Sequence, residues 1–226
     1  MMRKILILTA ALIALVAVPA LAAKSNEAIK RNNFGAELVK QGKLDEAIVE
    51  FQRAVELDPD YTAAHLNLGY VYERSGRIEE SITEYRKTIA LEPTNFSACN
   101  NLGVLYDKKG LYDEAISSFE QALRVDPANA TVLRNLENAK KNKSIVDERE
   151  ARITEAKKQA EARPKDPQAV YNLARVLASF GQYDEALQWL AKALQLGFDD
   201  FGFMKADPAL ASLRGDPRYV SLLKGR

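Results

Sequence analysis

The chain is poor in the residues that most site chemistry needs. Its 226 residues include one cysteine and one histidine. A lone Cys99 can close no internal disulfide, and at an apolar helical position it reads as a small buried hydrophobe. A lone His65, at a helix–helix packing position, supplies no metal-ligand spacing. No glycine-rich phosphate loop is present. Carboxylates are plentiful, but they fall on exposed helical faces without the burial that tunes a pKa. These absences point to a chain that is not an enzyme and that needs no metal and no cofactor. An excess of one charge is missing too: 32 basic residues stand against 31 acidic ones, which argues against nucleic acid as the main partner. Long apolar runs are missing as well. The one run present, Ile5 to Val18, is 18 − 5 + 1 = 14 residues, short of the about 20 that span a bilayer.

That run has the layout of an export signal. Arg3 and Lys4 precede it, and Pro19 and the small-residue sequence Ala20-Leu21-Ala22 follow it. Residues 1–22 therefore read as a signal peptide cleaved after Ala22. The mature chain is then periplasmic or secreted, and an uncleaved anchor is the alternative. No cysteine lies near the site to carry a lipid.

What is abundant is self-similarity. Pro59, Pro93 and Pro127 are 34 residues apart (93 − 59 = 34; 127 − 93 = 34). Gly35, Gly69 and Gly103 keep the same step, and so do Gly42, Gly76 and Gly110. Each copy carries apolar residues at helical spacing on two segments of roughly 12–15 residues. The second glycine of each copy suits the end of a first helix. The acids in "KLDEA", "RIEES" and "LYDEA" suit the positive start of a second helix, and each proline stops it. Asp60, Asn95 and Asn129 are the expected N-caps of the helices that follow. Gly35, Gly69 and Gly103 are expected to face Ala47, Ser81 and Ala115 across each pair. Ser81 and Thr88, standing for alanines, predict looser packing in the middle copy.

The pattern L-G-x-x-Y, A-x-x-x-F, P over 34 residues is carried by Leu68, Gly69, Tyr72 and Pro93, and by Leu102, Gly103, Tyr106, Ala115, Phe119, Ala122 and Pro127. In the first copy Gly35, Ala47, Phe51, Ala54 and Pro59 fit, with Phe34 and Leu38 as apolar stand-ins. The chain resembles the tetratricopeptide repeat (TPR) family. The resemblance implies an all-α fold, a right-handed α-α superhelix or solenoid of helix-turn-helix repeats. Repeats are expected over 28–61, 62–95 and 96–129. A degenerate copy over 130–166 follows, with a second, long, charged helix near Val146–Ala162, and a further repeat covers 167–199. Residues 200–226 are expected to cap the array with two short helices behind Asp207-Pro208 and Asp216-Pro217.

In the family the first helices line a concave groove, and the function implied is a non-catalytic scaffold for a protein or peptide partner. The groove residues expected here are Asn33, Leu66, Asn67, Tyr70, Arg74, Asn101, Val104 and Lys108, with Ile29, Asn32, Asn100, Arg134, Lys141 and Arg175 around them. One asparagine position recurs as Asn33, Asn67, Asn101, Asn135 and Asn172. Each amide offers a donor beside an acceptor, suited either to an extended backbone or to tying neighbouring helices together. Some TPR co-chaperones clamp a terminal carboxylate with a Lys–Asn–Asn–Lys–Arg set. Only Asn67 keeps that set here; Asn32, Ala36, Ser97 and Asn101 depart from it. The alternative to an adaptor is an oligomerising subunit of an envelope assembly; a monomer or weak homo-oligomer is expected, touching membrane only through an uncleaved signal.

Overall fold

A computed structural model describes residues 23 and 25–224, so the signal-peptide reading of residues 1–22 lies outside the described residues. Among the described residues the regular structure is all helical, with no strand. Residues 25–40 form α1. It is followed by α2 (Leu44–Leu57), α3 (Thr62–Arg74), α4 (Ile78–Leu91), α5 (Phe96–Lys108) and α6 (Tyr112–Val125). Then come α7 (Ala130–Ala162), α8 (Pro167–Ser179) and α9 (Tyr183–Gln195). The end is built from α10 (Phe201–Ala206), a 3-10 helix (Pro208–Leu213) and α11 (Pro217–Leu222). Two compact units are present, one running to Lys141 and one from Asn142.

In the first unit, α1/α2, α3/α4 and α5/α6 are antiparallel pairs. Gly110 ends the turn of the third pair at φ 74°, a left-handed backbone that a side chain would strain. Acids open each outer helix: Asp45 and Glu46, Glu79 and Glu80, Asp113 and Glu114, where the dipole favours them. The core of each pair is one aromatic ring from the outer helix: Phe51, Tyr85 or Phe119, each no more than 1 % exposed. The inner-helix glycine faces that ring rather than only the small residue expected across it. A Cβ on Gly103 would stand 2.6 Å from Phe119 Cε1, and one on Gly69 2.8 Å from Tyr85 Cδ1. Ring and backbone therefore touch because nothing lies between them.

Several expectations are corrected here. The hydroxyls expected to loosen the middle copy are each paired. Ser81 Oγ donates to the Gly69 carbonyl at 2.7 Å, and Thr88 Oγ1 to the Glu84 carbonyl at 2.9 Å. Asn95 and Asn129 do cap, accepting from Ala98 N and Val132 N. Asp60 does not. Tyr61 occupies the N-cap of α3 and makes no side-chain cap bond; the register runs one residue later than expected, since 95 − 34 = 61. Phe34 is 53 % exposed, whereas Leu68 and Leu102 at the same repeat position are buried, because no described helix precedes α1 to cover it.

The largest correction concerns residues 130–162. The degenerate copy is not two helices but one, the 33-residue α7. The turn glycine of the third copy, Gly110, maps to Ser144 (110 + 34 = 144), and the chain has no glycine between Gly110 and Gly181 and no proline between Pro127 and Pro164. Without a glycine to take left-handed φ or a proline to break the ladder, the helix runs on through the place where a turn would stand.

The second unit has a single core, centred on Tyr171, Leu173, Leu177, Leu190 and Met204. The C-terminal segment completes it as a cap: Leu210, Leu213 and Tyr219 are buried, and Leu222 and Leu223 pack against it. Asp207 and Asp216 act as N-caps, accepting from Ala209 N and Arg218 N, each with proline next in sequence. Asp207 is itself 1 % exposed. It accepts from Tyr171 Oη and Arg175 Nε, both at 2.9 Å. Burial opposes the charge on Asp207, but these donors and the Ala209 amide overcome it and hold its pKa below the ordinary value. Tyr171 also stacks on Phe198 with ring centroids 4.1 Å apart. Arg175, expected in a groove, is instead bound to the cap.

Candidate functional site

The inner helices α1, α3 and α5 present one stripe that helix packing leaves at least partly open. On α3 it consists of Leu66, Asn67, Tyr70 and Arg74; on α5, of Asn100, Asn101, Val104 and Lys108. Leu66, Asn67, Asn101 and Val104 are half-buried, and Arg74 and Lys108 are exposed. Tyr70 is 43 % exposed, and the Arg74 guanidinium lies 5.9 Å from its ring centroid. On α1, Asn33 is exposed, Ile29 is exposed and Asn32 is buried.

The asparagines are partly engaged with one another. Asn67 Nδ2 donates to Asn32 Oδ1 at 2.8 Å, linking α3 to α1. Asn101 Nδ2 donates to Tyr85 Oη at 3.2 Å, and its Oδ1 accepts from Asn100 Nδ2. Tyr85 Oη donates in turn to Glu73 Oε2 at 3.3 Å, while Lys108 Nζ reaches Glu73 Oε1 at 3.5 Å. A polar network therefore links α5 to α3 through Tyr85 of α4. Burial, first of all, pushes the Tyr85 hydroxyl far above its ordinary pKa, so it stays a donor. Two acceptor oxygens on α5, Asn100 Oδ1 and Asp107 Oδ1, are buried with no protein donor.

Tyr85 is the residue that sequence reasoning passed over. Phe51 and Phe119 hold the same repeat position, and the extra hydroxyl in the middle copy is the signal that would have found it. Among the residues expected to surround the groove, Arg134 and Lys141 are exposed on α7. Asn172, in the second unit, accepts from Gln168 Nε2 on its own helix. His65 is buried behind the stripe. Its Nδ1 meets Glu84 Oε2 at 2.6 Å and its Nε2 meets the Pro59 carbonyl at 2.9 Å. Both partners only accept, so the doubly protonated ring satisfies both. Burial opposes that charge, but Glu84 and Pro59 outweigh it, and the His65 pKa is raised. Among the described residues no group of three or more His, Cys, Asp or Glu is placed to hold a metal ion. Nor is any described helix long and apolar enough to cross a membrane.

Comparison with known proteins bears on the same architecture. Solved structures with the same fold include YrrB, described as a TPR protein with an unusual peptide-binding site. It is 21 % identical with a TM-score of 0.51, and the match covers 84 % of this chain and 97 % of that one. The first TPR of Spaghetti (RPAP3), bound to the HSP90 peptide SRMEEVD, is 22 % identical with a TM-score of 0.51, covering 53 % of this chain and 95 % of that one. MamA is 21 % identical with a TM-score of 0.50, covering 75 % and 91 %. Comparison with curated proteins gives no match. The TPR repeat model matches residues 35–76 and 74–110, and two tetratricopeptide repeat models match 96–129 and 153–202. Together these matches span more than half of the sequence, and they fall on the helix pairs described above: the chain belongs to the tetratricopeptide repeat family.

Proposed function

We propose that the first unit is a protein-interaction scaffold that holds an extended peptide segment along α3 and α5. The observation that carries this reading is the open stripe itself. Leu66, Tyr70 and Val104 leave apolar surface uncovered, flanked by exposed Arg74 and Lys108. The preferred segment carries apolar side chains beside an acidic group. Magnitudes decide which contacts matter. A net hydrogen bond contributes about 0.5–1.5 kcal/mol, and a micromolar complex needs about 8 kcal/mol. Asparagines already bonded to neighbours cannot supply that, so Leu66, Tyr70 and Val104 must add buried apolar area.

Two of the structural relatives are described with a bound peptide or a peptide site, which agrees with this use of the fold. A chaperone-tail receptor fits less well, since only Asn67 of the carboxylate-clamp set is in place. Selection from a random-peptide display library tests the reading. Enriched peptides should bind in the micromolar range, and Tyr70→Ala with Arg74→Ala should weaken them at least about tenfold, the effect of losing about 1.4 kcal/mol, with helicity unchanged. Binding that survives the double variant places the site elsewhere.

The same proposal places the protein outside the cytoplasm, on the strength of the basic start, apolar run and small-residue site in residues 1–22. N-terminal sequencing of protein recovered from the cell envelope should read from Ala23; a chain retaining Met1 would make it an anchored adaptor.

A further inference from the structure

In every helix pair of this chain the outer helix turns the same position onto its inner partner. That position holds Phe51, Tyr85, Phe119 and Leu190, each no more than 1 % exposed. A step of 164 − 127 = 37 separates the prolines that close the third and fourth copies, so Phe119 maps to Ala156 in α7 (119 + 37 = 156). One turn to either side of it, Arg152 and Gln159 are exposed, whereas Ala115 and Ala122, at the matching positions of α6, are fully buried. A cleft of ≈ 390 Å³ lies over this face, walled by α7 and by Asn172 and Val176 of α8. It is the space that the inner helix of the fourth pair would fill.

The residues that would form that helix are at the start of α7. Leu133 and Glu137 stand where the third pair has buried Cys99 and Gly103 (133 − 34 = 99; 137 − 34 = 103). Here Leu133 is 45 % exposed and Glu137 is exposed. The opposite face of the same segment is spent: Val132 and Ala139 are buried against α5 and α6. A continuous helix cannot fold back on itself, so one chain offers both the cleft and its filler and joins neither.

The two faces match in size and charge. In the first three pairs a glycine on the inner helix meets an aromatic ring on the outer. In the fourth the sizes are reversed, with Glu137 opposite Ala156, and Arg152 lies one turn away to take the carboxylate. The Arg152 guanidinium is now held only over the Phe180 ring, at 5.1 Å. Glu148 and Glu155 on the cleft wall match a segment on which Arg134 and Lys141 are exposed.

We propose that two copies of this chain exchange the first half of α7. Residues 130–140 of each copy lie in the Ala156 cleft of the other, related by a two-fold axis, so that each copy gives and receives the same contact. The exchange is independent of peptide binding along α3 and α5.

Sedimentation of the full-length chain across a concentration series tests this. A dimer should form at micromolar concentration. Glu137→Arg should raise its dissociation constant at least about tenfold, as should Arg152→Glu, each at a cost of about 1.4 kcal/mol. Both sites are exposed, so neither change should alter helicity, and the charge-exchanged pair Glu137→Arg with Arg152→Glu should restore the dimer. Glu137→Cys with Ala156→Cys should oxidise to a covalent dimer. Ser144→Gly, which restores a turn residue, should shift the chain toward monomer. A monomer at every concentration overturns the proposal, as does a disulfide formed within one chain, which would mean that α7 closes on itself. So does a dimer indifferent to both charge reversals, and a cleft that takes a helix of another protein instead.

Discussion

A side chain at position 103 would have to displace a ring that has nowhere to go. Phe119 is 1 % exposed, and two of its atoms lie within 2.7 Å of where a Cβ would stand. Gly103→Leu should therefore destabilise the first unit by about 1–3 kcal/mol through overpacking, read as a lower urea midpoint at unchanged slope. An unchanged midpoint would mean that the helices of the third pair are not in this register. His65 makes a second prediction at this scale. Its folded pKa is raised above the unfolded value, so its contribution to stability is fully present below the unfolded pKa, about 6.5. That contribution is lost as pH rises through the folded pKa. The first unit should lose stability from mildly acidic toward mildly alkaline pH, and His65→Asn should remove that slope. A wild-type profile that is flat over this range would show that Glu84 does not hold the proton there.

Among the elements, the helix pairs were legible because each needs the same few residues at the same places. A glycine under a ring, a glycine at a turn and a closing proline left a 34-residue beat that no other fold requires. The cap was legible through Asp207-Pro208 and Asp216-Pro217, although α10 ahead of them carries no such mark. What could not be read was α7. The expected turn was carried over from neighbouring copies, when the residue that makes a turn, Gly110 in the third copy, has become Ser144 in the fourth. The stripe was legible in outline only. Position along the repeat marks Leu66, Tyr70 and Val104 as facing away from the pair's core, but hydrogen bonds such as Asn67 to Asn32, or the Tyr85 hydroxyl to Glu73, depend on side-chain reach across helices, which spacing does not report. The Asp60 expectation is different in kind: Tyr61 stands at the repeat position of Asn95 and Asn129, but its side chain makes no cap bond, and the acid that resembles a cap lies one residue earlier.

At the scale of the whole molecule, the two units are each organised around their own apolar clusters, while the middle of α7 has almost nothing to hold it. Between Lys140 and Arg152 only Asn142, Lys143 and Val146 are even half-buried. Local opening is easiest where few apolar contacts are lost. Limited trypsin digestion should cut first after Lys141 or Lys143 and leave two protease-resistant fragments, the first ending in that stretch and the second beginning there. Early cutting at Arg124 or Lys192 instead, both on helices with buried faces, would show that the units are less independent than their cores imply. The same stretch has a mechanical meaning. A helix stores its chain at about 1.5 Å per residue, and an extended strand spans about 3.3–3.6 Å. If the two ends of the protein were pulled apart, the residues around Ser144 would give way before any helix pair, more than doubling their own length while both cores stayed shut. The missing glycine thus leaves the array with a fuse: a length of chain that can pay out under load and wind back when the load is gone.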